Sequence, residues 1–244
     1  MSQRLLFKTF FAILTFSPIL CHAQIPVLGN EPGEEKSLSL TGPLEIRQGE
    51  CIYSATLNKR QIITHNTPDI IIYEKTPTID QKLTPYLWQP ETYSGYEWSF
   101  KNPGRRNLRW LGLICESAEN LPFLKIEKSA QKFETNEIIE SNKRKCPANL
   151  VNGKFILPEE FGEQKNYTIE NITKSNWTGF AAFHRSKSRN IYDQMRFCLL
   201  HDNVVLIGTT ENIQPTPMLD EKFRTMTINF IKSIEFKQES NGKF

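Results

Sequence analysis

Hydrophobic and polar positions alternate most clearly in the last third of the chain. Residues 193–202 are rich in large apolar side chains and bounded by polar ones, which predicts a buried strand. His201-Asp202-Asn203 predicts a turn, and the apolar run resumes over residues 204–208, so the two segments should form an antiparallel hairpin. Residues 177–183 predict a neighbouring strand.

A helical period follows this hairpin. Thr216 before Pro217 predicts a helix N-cap with proline at the first helical position. The apolar residues that then share one face are Leu219, Phe223, Met226 and Phe230. An amphipathic helix must bury that face, and the hairpin is its nearest partner. Residues 233–236 are expected to return as a closing strand.

The upstream chain shows shorter versions of the same patterns. Residues 51–57, 70–73 and 108–115 predict strands, and residues 127–145 predict a helix or a linker. Together these elements predict an α+β fold in which helices cover antiparallel sheets. We expect residues 1–23 to be a signal peptide, 24–36 a flexible arm, 37–143 an N-terminal α+β half and 144–244 a C-terminal α+β half.

A weak internal similarity underlies this division into two antiparallel-sheet-plus-helix halves. Residues 93–100 resemble residues 177–183, and each segment precedes a basic turn and a strand that carries a cysteine. A tandem duplication would explain the similarity, and chance resemblance between two aromatic hairpins is the alternative. The duplication predicts one disulfide in each half, Cys51–Cys115 and Cys146–Cys198, although four cysteines allow three pairings.

The first 23 residues have the pattern of a secretory signal. Arg4 and Lys8 precede a short apolar run, and Ala23 suits cleavage before Gln24. A retained membrane anchor and a lipoprotein signal at Cys21 are the alternatives. Removing the segment takes the formal charge from +3 to about +1, which argues against nucleic acid as a partner. The mature protein is therefore expected to be periplasmic or secreted, without a membrane span.

The sequence lacks the patterns of common catalytic and metal sites. His65, His184 and His201 do not stand at metal-ligand spacing, and neither a nucleophile elbow nor a phosphate-binding glycine loop occurs. We therefore expect a protein that is not an enzyme and needs no metal or cofactor.

The aromatic and basic hairpins are the candidate binding residues, because tryptophan, tyrosine and arginine dominate protein interfaces. The predicted recognition face comprises Tyr93, Tyr96, Trp98, Arg105, Arg106, Trp177, Arg185 and Arg189, with Trp110 and Phe180 beside them. The alternative is that alternate aromatic side chains fill the core while the arginines face water.

Two resemblances follow from these elements. The strand with Phe197-Cys198-Leu199, the hairpin to Gly208 and the ending Phe230-Ile-Lys-Ser-Ile-Glu-Phe236 resemble PsbP/DcrB-like α+β domains. The exported, cysteine-containing plan of two halves is similar to periplasmic immunity proteins of type VI secretion lipase effectors. No site residue is carried over from either family.

These observations lead to an exported, non-catalytic binding protein as the expected function. Its most specific form is a periplasmic immunity protein that blocks a secreted toxic effector. An envelope accessory protein that binds a lipid or another small ligand, in a pocket between sheet and helix, is the alternative. A hydrolase with an unrecognised site is a third hypothesis.

Overall fold

The protein is described by a computed structural model at residues 25–29, 36–66, 68–74, 84–89, 98–104, 108–121, 133–159, 166–186, 191–210 and 218–237. The predicted signal peptide and most of the predicted arm lie outside these ranges. In the described part, sixteen strands and two α-helices follow one another along the chain.

The strands are β1 Val27–Gly29, β2 Lys36–Leu38, β3 Gly42–Gln48, β4 Cys51–Leu57, β5 Gln61–Asn66, β6 Asp69–Glu74, β7 Tyr86–Trp88, β8 Ser99–Lys101, β9 Trp110–Ser117, β10 Asn149–Val151, β11 Lys154–Ile156, β12 Tyr167–Thr173, β13 Thr178–Arg185, β14 Tyr192–His201, β15 Val204–Thr209 and β16 Glu235–Phe236. The helices are α1 Phe133–Lys145 and α2 Glu221–Ser233.

An eight-stranded sheet forms the centre, with the strand order β12-β13-β14-β15-β9-β6-β5-β2. All its neighbouring strands are antiparallel. The predicted strands at residues 177–183 and 193–202 and the hairpin to Gly208 are confirmed as β13, β14 and β15. The pairing of β15 with β9 joins the C-terminal strands to the N-terminal ones, so both predicted halves contribute to one continuous sheet.

Both faces of the central sheet are buried. Along β6, Ile70 and Ile72 point into one hydrophobic core while Ile71 and Tyr73 point into a second one. All six residues of β15 are buried in the same way. A strand that is apolar on both sides needs cover on both sides, and this requirement produces three layers.

The first face is covered by α2 and by a small sheet with the order β1-β3-β4-β16. Every second residue of β4, from Cys51 to Leu57, is buried against the central sheet. Buried Gln48 ties the layers together, because its Nε2 donates to the carbonyl oxygen of Leu113 in β9 at 2.6 Å. The return of residues 233–236 as a strand is confirmed, since β16 pairs with β4.

The predicted start of α2 is wrong. The helix begins at Glu221 rather than after Thr216, and its N-cap is Asp220, whose carboxylate accepts a hydrogen bond from the Phe223 N–H at 2.9 Å. Leu219 is buried like the other residues of the predicted apolar stripe, but it lies before the helix. There it pairs with Tyr192 through a β-bridge. That pairing keeps the chain extended until Asp220 caps the first turn.

The second face is covered by two hairpins, β7–β8 and β10–β11, and the end of α1 is attached to it through the Cys146–Cys198 disulfide. Phe100 of β8 lies over Gly112 of the central sheet, where a Cβ would come within 2.6 Å of the ring. Phe155 of β11 packs on Phe180 of β13 with ring centroids 5.3 Å apart. Residues 133–145 of the predicted helix or linker are helical.

Two disulfides join the covering layers to the sheet, and the predicted pairing is confirmed. Cys51 of the small sheet bonds to Cys115 of β9 on the first face. Cys146, directly after α1, bonds to Cys198 of β14 on the second face. Each bridge therefore fixes a different layer.

The predicted α+β fold is wrong, because the protein is mainly β. The sequence predicted one amphipathic helix and a second segment that could be a helix or a linker, but it could not show that the strands between them form one large sheet. The two halves are also not equivalent in structure, since their disulfides lie on opposite faces of the shared sheet. The division near residue 143 falls within α1 and stays a prediction.

Removing either disulfide should destabilise the protein strongly. The bridges span 64 and 52 residues, and loop closure of this length contributes about 4 kcal/mol through the unfolded state. We expect Cys51→Ala/Cys115→Ala and Cys146→Ala/Cys198→Ala each to lower the free energy of unfolding by about that amount, measured by urea denaturation. A thiol reductant should destabilise the wild type further than either double variant alone, and losses below about 1 kcal/mol would contradict the assignment.

Candidate binding surfaces

The two tryptophans of the predicted recognition face are core residues. Trp98 is 2% exposed and lies in the core of the second face, whereas Trp177 is 4% exposed and lies in the core of the first face. The Trp177 indole N–H donates to the carbonyl oxygen of Ile234 at 3.0 Å. The central sheet separates the two rings, so they do not share a surface. Trp110 and Phe180 are also buried.

Of the other six predicted binding residues, only Arg185 lies in the described part of the chain. Arg185 is exposed at the end of β13, and its guanidinium lies 5.6 Å from the centroid of the Tyr192 ring. Its role in binding stays a prediction. The residues that lie outside the described part of the chain are Tyr93, Tyr96, Arg105, Arg106 and Arg189.

Hairpin β7–β8 has one buried and one exposed side. Leu87 and Phe100 are cross-strand partners that pack into the core, whereas Tyr86 and Trp88 are 45% and 37% exposed. The Nζ atom of Lys101 lies 3.4 Å from the centroid of the Trp88 ring. The exposed side therefore combines aromatic surface with a cation that is held over it.

Hairpin β10–β11 repeats this division. Phe155 is buried, whereas Val151 and Ile156 on the opposite side of the hairpin are exposed. Leu150, the cross-strand partner of Phe155, is also exposed. The Asn171 amide fixes the hairpin on the sheet, because it accepts from the Phe155 N–H at 2.7 Å and donates to the Phe155 carbonyl oxygen at 3.0 Å. These two hydrogen bonds take the place of those that a neighbouring strand would make with Phe155. They hold the hairpin and its exposed apolar residues in place.

The end of α1 brings positive charge between the two hairpins. Cys146 ties this end to β14, which lies between the strands under β10–β11 and those under β7–β8. The last turn carries Lys143, Arg144 and Lys145, and the Lys145 Nζ atom is 4.8 Å from the centroid of the Trp98 ring. We call the exposed sides of β7–β8 and β10–β11 together with this turn the hairpin surface.

The sequence analysis missed the apolar residues of the hairpin surface. Residues 86–88 and 154–156 each alternate between one residue that packs inward and two that face outward, which is the pattern of a half-buried strand. Both hairpins contain strands of three residues, and such short runs were hidden by the prolines and charges around them.

On the opposite side of the molecule, Arg109 joins α2 to the central sheet. Its guanidinium donates to a Glu74 carboxylate oxygen at 2.8 Å and to an Asp220 carboxylate oxygen at 2.7 Å. The hydrogen bond from Arg109 holds the pKa of Asp220 below its usual value of 3.8. The same contact with Asp220 raises the pKa of Arg109. This chain of charges fixes the first turn of α2 against the ends of β6 and β9.

A second group of charges lies along the same helix. Arg224 donates to Glu221 at 2.8 Å and to Glu170 of β12 at 3.1 Å, and the Tyr192 hydroxyl donates to Glu221 at 2.6 Å. The hydrogen bond from Tyr192 is the main reason why the pKa of Glu221 lies below its usual value. These hydrogen bonds attach α2 to β12 and β14.

The turn between β4 and β5 carries a strained residue. Arg60 has a φ of +73°, in the left-handed region that side chains with a Cβ disfavour. The other residues with positive φ that are not glycine in the described chain are Asn152 and Asp202, and these residue types tolerate it well. Glycine or asparagine would adopt this backbone conformation at lower cost.

The histidines have local partners. The His184 Nδ1 atom lies 2.5 Å from the Asp193 Oδ1 atom, and the His184 ring packs on Tyr167. His201 stacks on Phe236 and lies 2.6 Å from the carbonyl oxygen of Asn176. Within the described ranges, His, Cys, Asp and Glu do not form a group of three that could hold a metal ion. Neither described helix has the length and hydrophobicity needed to cross a membrane.

Replacing Asp220 by Asn should remove a stability contribution that depends on pH. Asparagine can still cap α2 but cannot pair with Arg109. Because the folded pKa of Asp220 is lowered, the contribution is complete above its usual pKa and is lost as the pH falls through the folded value. The pair is half-exposed, so we expect a loss of about 0.5–1 kcal/mol at pH 7 that disappears in acid, measured by urea denaturation across the pH range.

Asp220→Ser is the matched control for this experiment, since serine also caps helices and carries no charge. It should reproduce the pH dependence of Asp220→Asn. A difference from the wild type that stays constant down to strongly acidic pH would contradict the role of the ion pair.

Replacing Arg60 by Gly should stabilise the protein. Glycine relieves the left-handed strain but adds entropy to the unfolded chain, so we expect a gain of about 0.5–1 kcal/mol in the free energy of unfolding. Asn152→Gly is the matched control at another turn and should change stability by less, because asparagine already tolerates its φ of +51°. Thermal or urea denaturation measures both, and a marked destabilisation by Arg60→Gly would show that the side chain itself stabilises the fold.

Comparisons with known proteins gave no match among protein-family models, curated proteins or solved structures. The resemblances to PsbP/DcrB-like domains and to periplasmic immunity proteins therefore stay predictions.

Proposed function

We propose that this protein is an exported binding protein that captures a protein partner through its hairpin surface. One observation carries the proposal. Of the eight large apolar side chains that are exposed in the described part of the chain, five lie on the two hairpins: Tyr86, Trp88, Leu150, Val151 and Ile156. Apolar and aromatic residues concentrated on one side of a molecule are typical of a protein interface.

The hairpin surface is preformed, which favours tight binding. Each hairpin is anchored by a buried aromatic residue, Phe100 or Phe155, and the turn between them is held by the Cys146–Cys198 disulfide. A partner would therefore order few additional groups on binding, and less of the contact energy would be lost to entropy. The two disulfides are compatible with an oxidising compartment outside the cytoplasm.

The charges of the hairpin surface support an acidic partner. Lys101 and Lys154 flank the exposed apolar residues, and Arg144 is exposed at the end of α1. Complementary charge steers association and suppresses wrong partners, while the buried apolar contacts supply most of the affinity. A protein with an apolar patch inside an acidic rim fits this surface.

The most specific form of the proposal is an immunity protein, which blocks a toxic effector by covering a surface of it. Export, a rigid scaffold and a surface suited to one protein partner all support this form. Blocking requires only that the complex be tight and that the covered surface be needed by the effector. The protein would then act at one-to-one stoichiometry.

Photo-cross-linking in the exporting cells can identify the partner. A photoreactive residue in place of Trp88 or of Ile156 should link to the same protein, whereas one in place of Met218, which is 45% exposed outside the hairpin surface, should not. The purified partner should be toxic to cells that lack this protein. Equal cross-linking at all three positions would contradict the proposal.

Variants of the hairpin surface should then weaken the complex. Removing an aromatic anchor from an interface costs about 2 kcal/mol or more, which corresponds to about 30-fold in Kd. We expect Trp88→Ala/Ile156→Ser to lose at least that much in isothermal titration calorimetry with the cross-linked partner. Ile25→Ser/Met218→Ala is the matched control and should bind as the wild type does. If the hairpin surface bound phosphatidylglycerol vesicles and no protein partner, the proposal would be overturned.

A further inference from the structure

A cleft of about 570 Å³ opens between α2 and the turn that leads from β4 to β5. At this corner the chain passes from the small sheet to the central sheet, so the cleft lies where the two sheets and the helix meet. The residues that line it are Asn58, Lys59, Arg60, Gln61, Glu74, Arg109, Lys222, Thr225, Met226 and Asn229.

The lining carries an excess of positive charge. It contains four cationic side chains and one carboxylate. Glu74 and Arg109 pair with each other, and Arg109 is further satisfied by Asp220. The remaining cations, Lys59, Arg60 and Lys222, are exposed and form no ion pair with the residues that the structure describes.

One side of α2 is polar over the length of the cleft. Lys222, Thr225 and Asn229 recur at three- and four-residue spacing and line the cleft, whereas Phe223 and Phe230 on the other side are buried in the core. Burial of that opposite side fixes the rotation of the helix. The donors of α2 are therefore positioned in advance, with partly buried Met226 between them.

The strained turn faces this helix across the cleft. Arg60 keeps a left-handed backbone although glycine or asparagine would hold the turn at lower cost. The Gln61 side chain reinforces the turn by accepting from the Asn58 N–H at 2.6 Å, and the Gln61 N–H donates to the Asn58 carbonyl oxygen at 3.1 Å. The turn is thus braced in a conformation that presents Lys59 and Arg60 beside Lys222.

We propose that this cleft binds a small anionic ligand through a phosphate or carboxylate group. Arginine offers a planar pair of donors to such a group, and lysine adds a compact charge. Thr225 and Asn229 can supply further hydrogen bonds to the ligand. Three cations that form no ion pair within the described part of the chain fit a ligand that carries at least two negative charges.

The cleft is independent of the hairpin surface. Helix α2 covers the first face of the central sheet, whereas the two hairpins cover the second. The ligand site and the site of a protein partner therefore lie on opposite sides of the sheet, and both can be occupied at once.

Calorimetric titration with sodium pyrophosphate and with citrate, at low ionic strength, tests the proposal. The wild type should bind at least one of the two at one-to-one stoichiometry. Loss of a charge-assisted hydrogen bond weakens binding by about tenfold or more, so Arg60→Gly and Lys222→Gln should each weaken it by at least that factor. Arg60→Gly is informative because it removes the guanidinium group, while glycine can adopt the same left-handed backbone and preserve the conformation of the turn.

Asn152→Gly/Lys154→Gln is the matched control. It replaces a residue of positive φ by glycine and removes one cation in the turn of β10–β11, on the other side of the molecule. This variant should bind the anion as the wild type does. If neither anion binds, or if the control loses as much affinity as the cleft variants, the proposal is overturned.

Vesicles distinguish a free ligand from a lipid headgroup. Phosphatidylglycerol vesicles that bind the wild type and release the Arg60→Gly variant would assign the anionic group to a lipid. Pyrophosphate or citrate binding without vesicle binding would assign it to a free small molecule. Vesicle binding that does not depend on Arg60 or Lys222 would count against the cleft as the site.

Discussion

The structure depends on a central sheet that is apolar on both faces. Ile70, Ile71 and Ile72 follow one another in β6 and are all buried, which is possible only if layers lie above and below the strand. Without a covering layer, either face of the sheet would expose a continuous hydrophobic surface to water. The small sheet with α2 on one face, and the two hairpins on the other, meet this requirement. Each cover is secured by its own disulfide, so neither layer relies on packing alone.

This arrangement also decides where binding can occur. Because both faces of the central sheet are buried, the two proposed binding surfaces are formed largely by the covering layers. On one side the covers are short hairpins, whose inward residues complete the core and whose outward residues leave Tyr86, Trp88, Val151 and Ile156 exposed. On the other side the cover combines the small sheet with α2, and a cleft opens between α2 and the turn from β4 to β5. The cleft at that corner is lined by the exposed cations Lys59, Arg60 and Lys222.

Individual strands were predictable because hydrophobic alternation is local. Strands β4, β6, β13, β14 and β15, the closing strand β16 and both disulfide pairs match the predictions. The fold class was wrong because strands such as β3, β5 and β12 were not predicted, so the strand content was underestimated. The pairing of β15 with β9 joins segments about ninety residues apart, and no periodicity encodes that pairing. The predicted recognition residues Trp98 and Trp177 show the same limit. An aromatic residue beside a basic turn has the same local pattern whether its ring fills a core or faces a partner.

The sequence by itself determined the positions of the strands with clear hydrophobic alternation, the amphipathic character of α2 and the set of cysteines available for bridging, because these follow from the order of neighbouring residues. Tertiary structure alone decided that one sheet spans both halves and that the two disulfides lie on opposite faces of it. It also decided which aromatic residues are exposed and that Lys59, Arg60 and Lys222 converge on one cleft. These outcomes depend on contacts between distant segments, where the burial of one side chain is set by whatever the fold places against it.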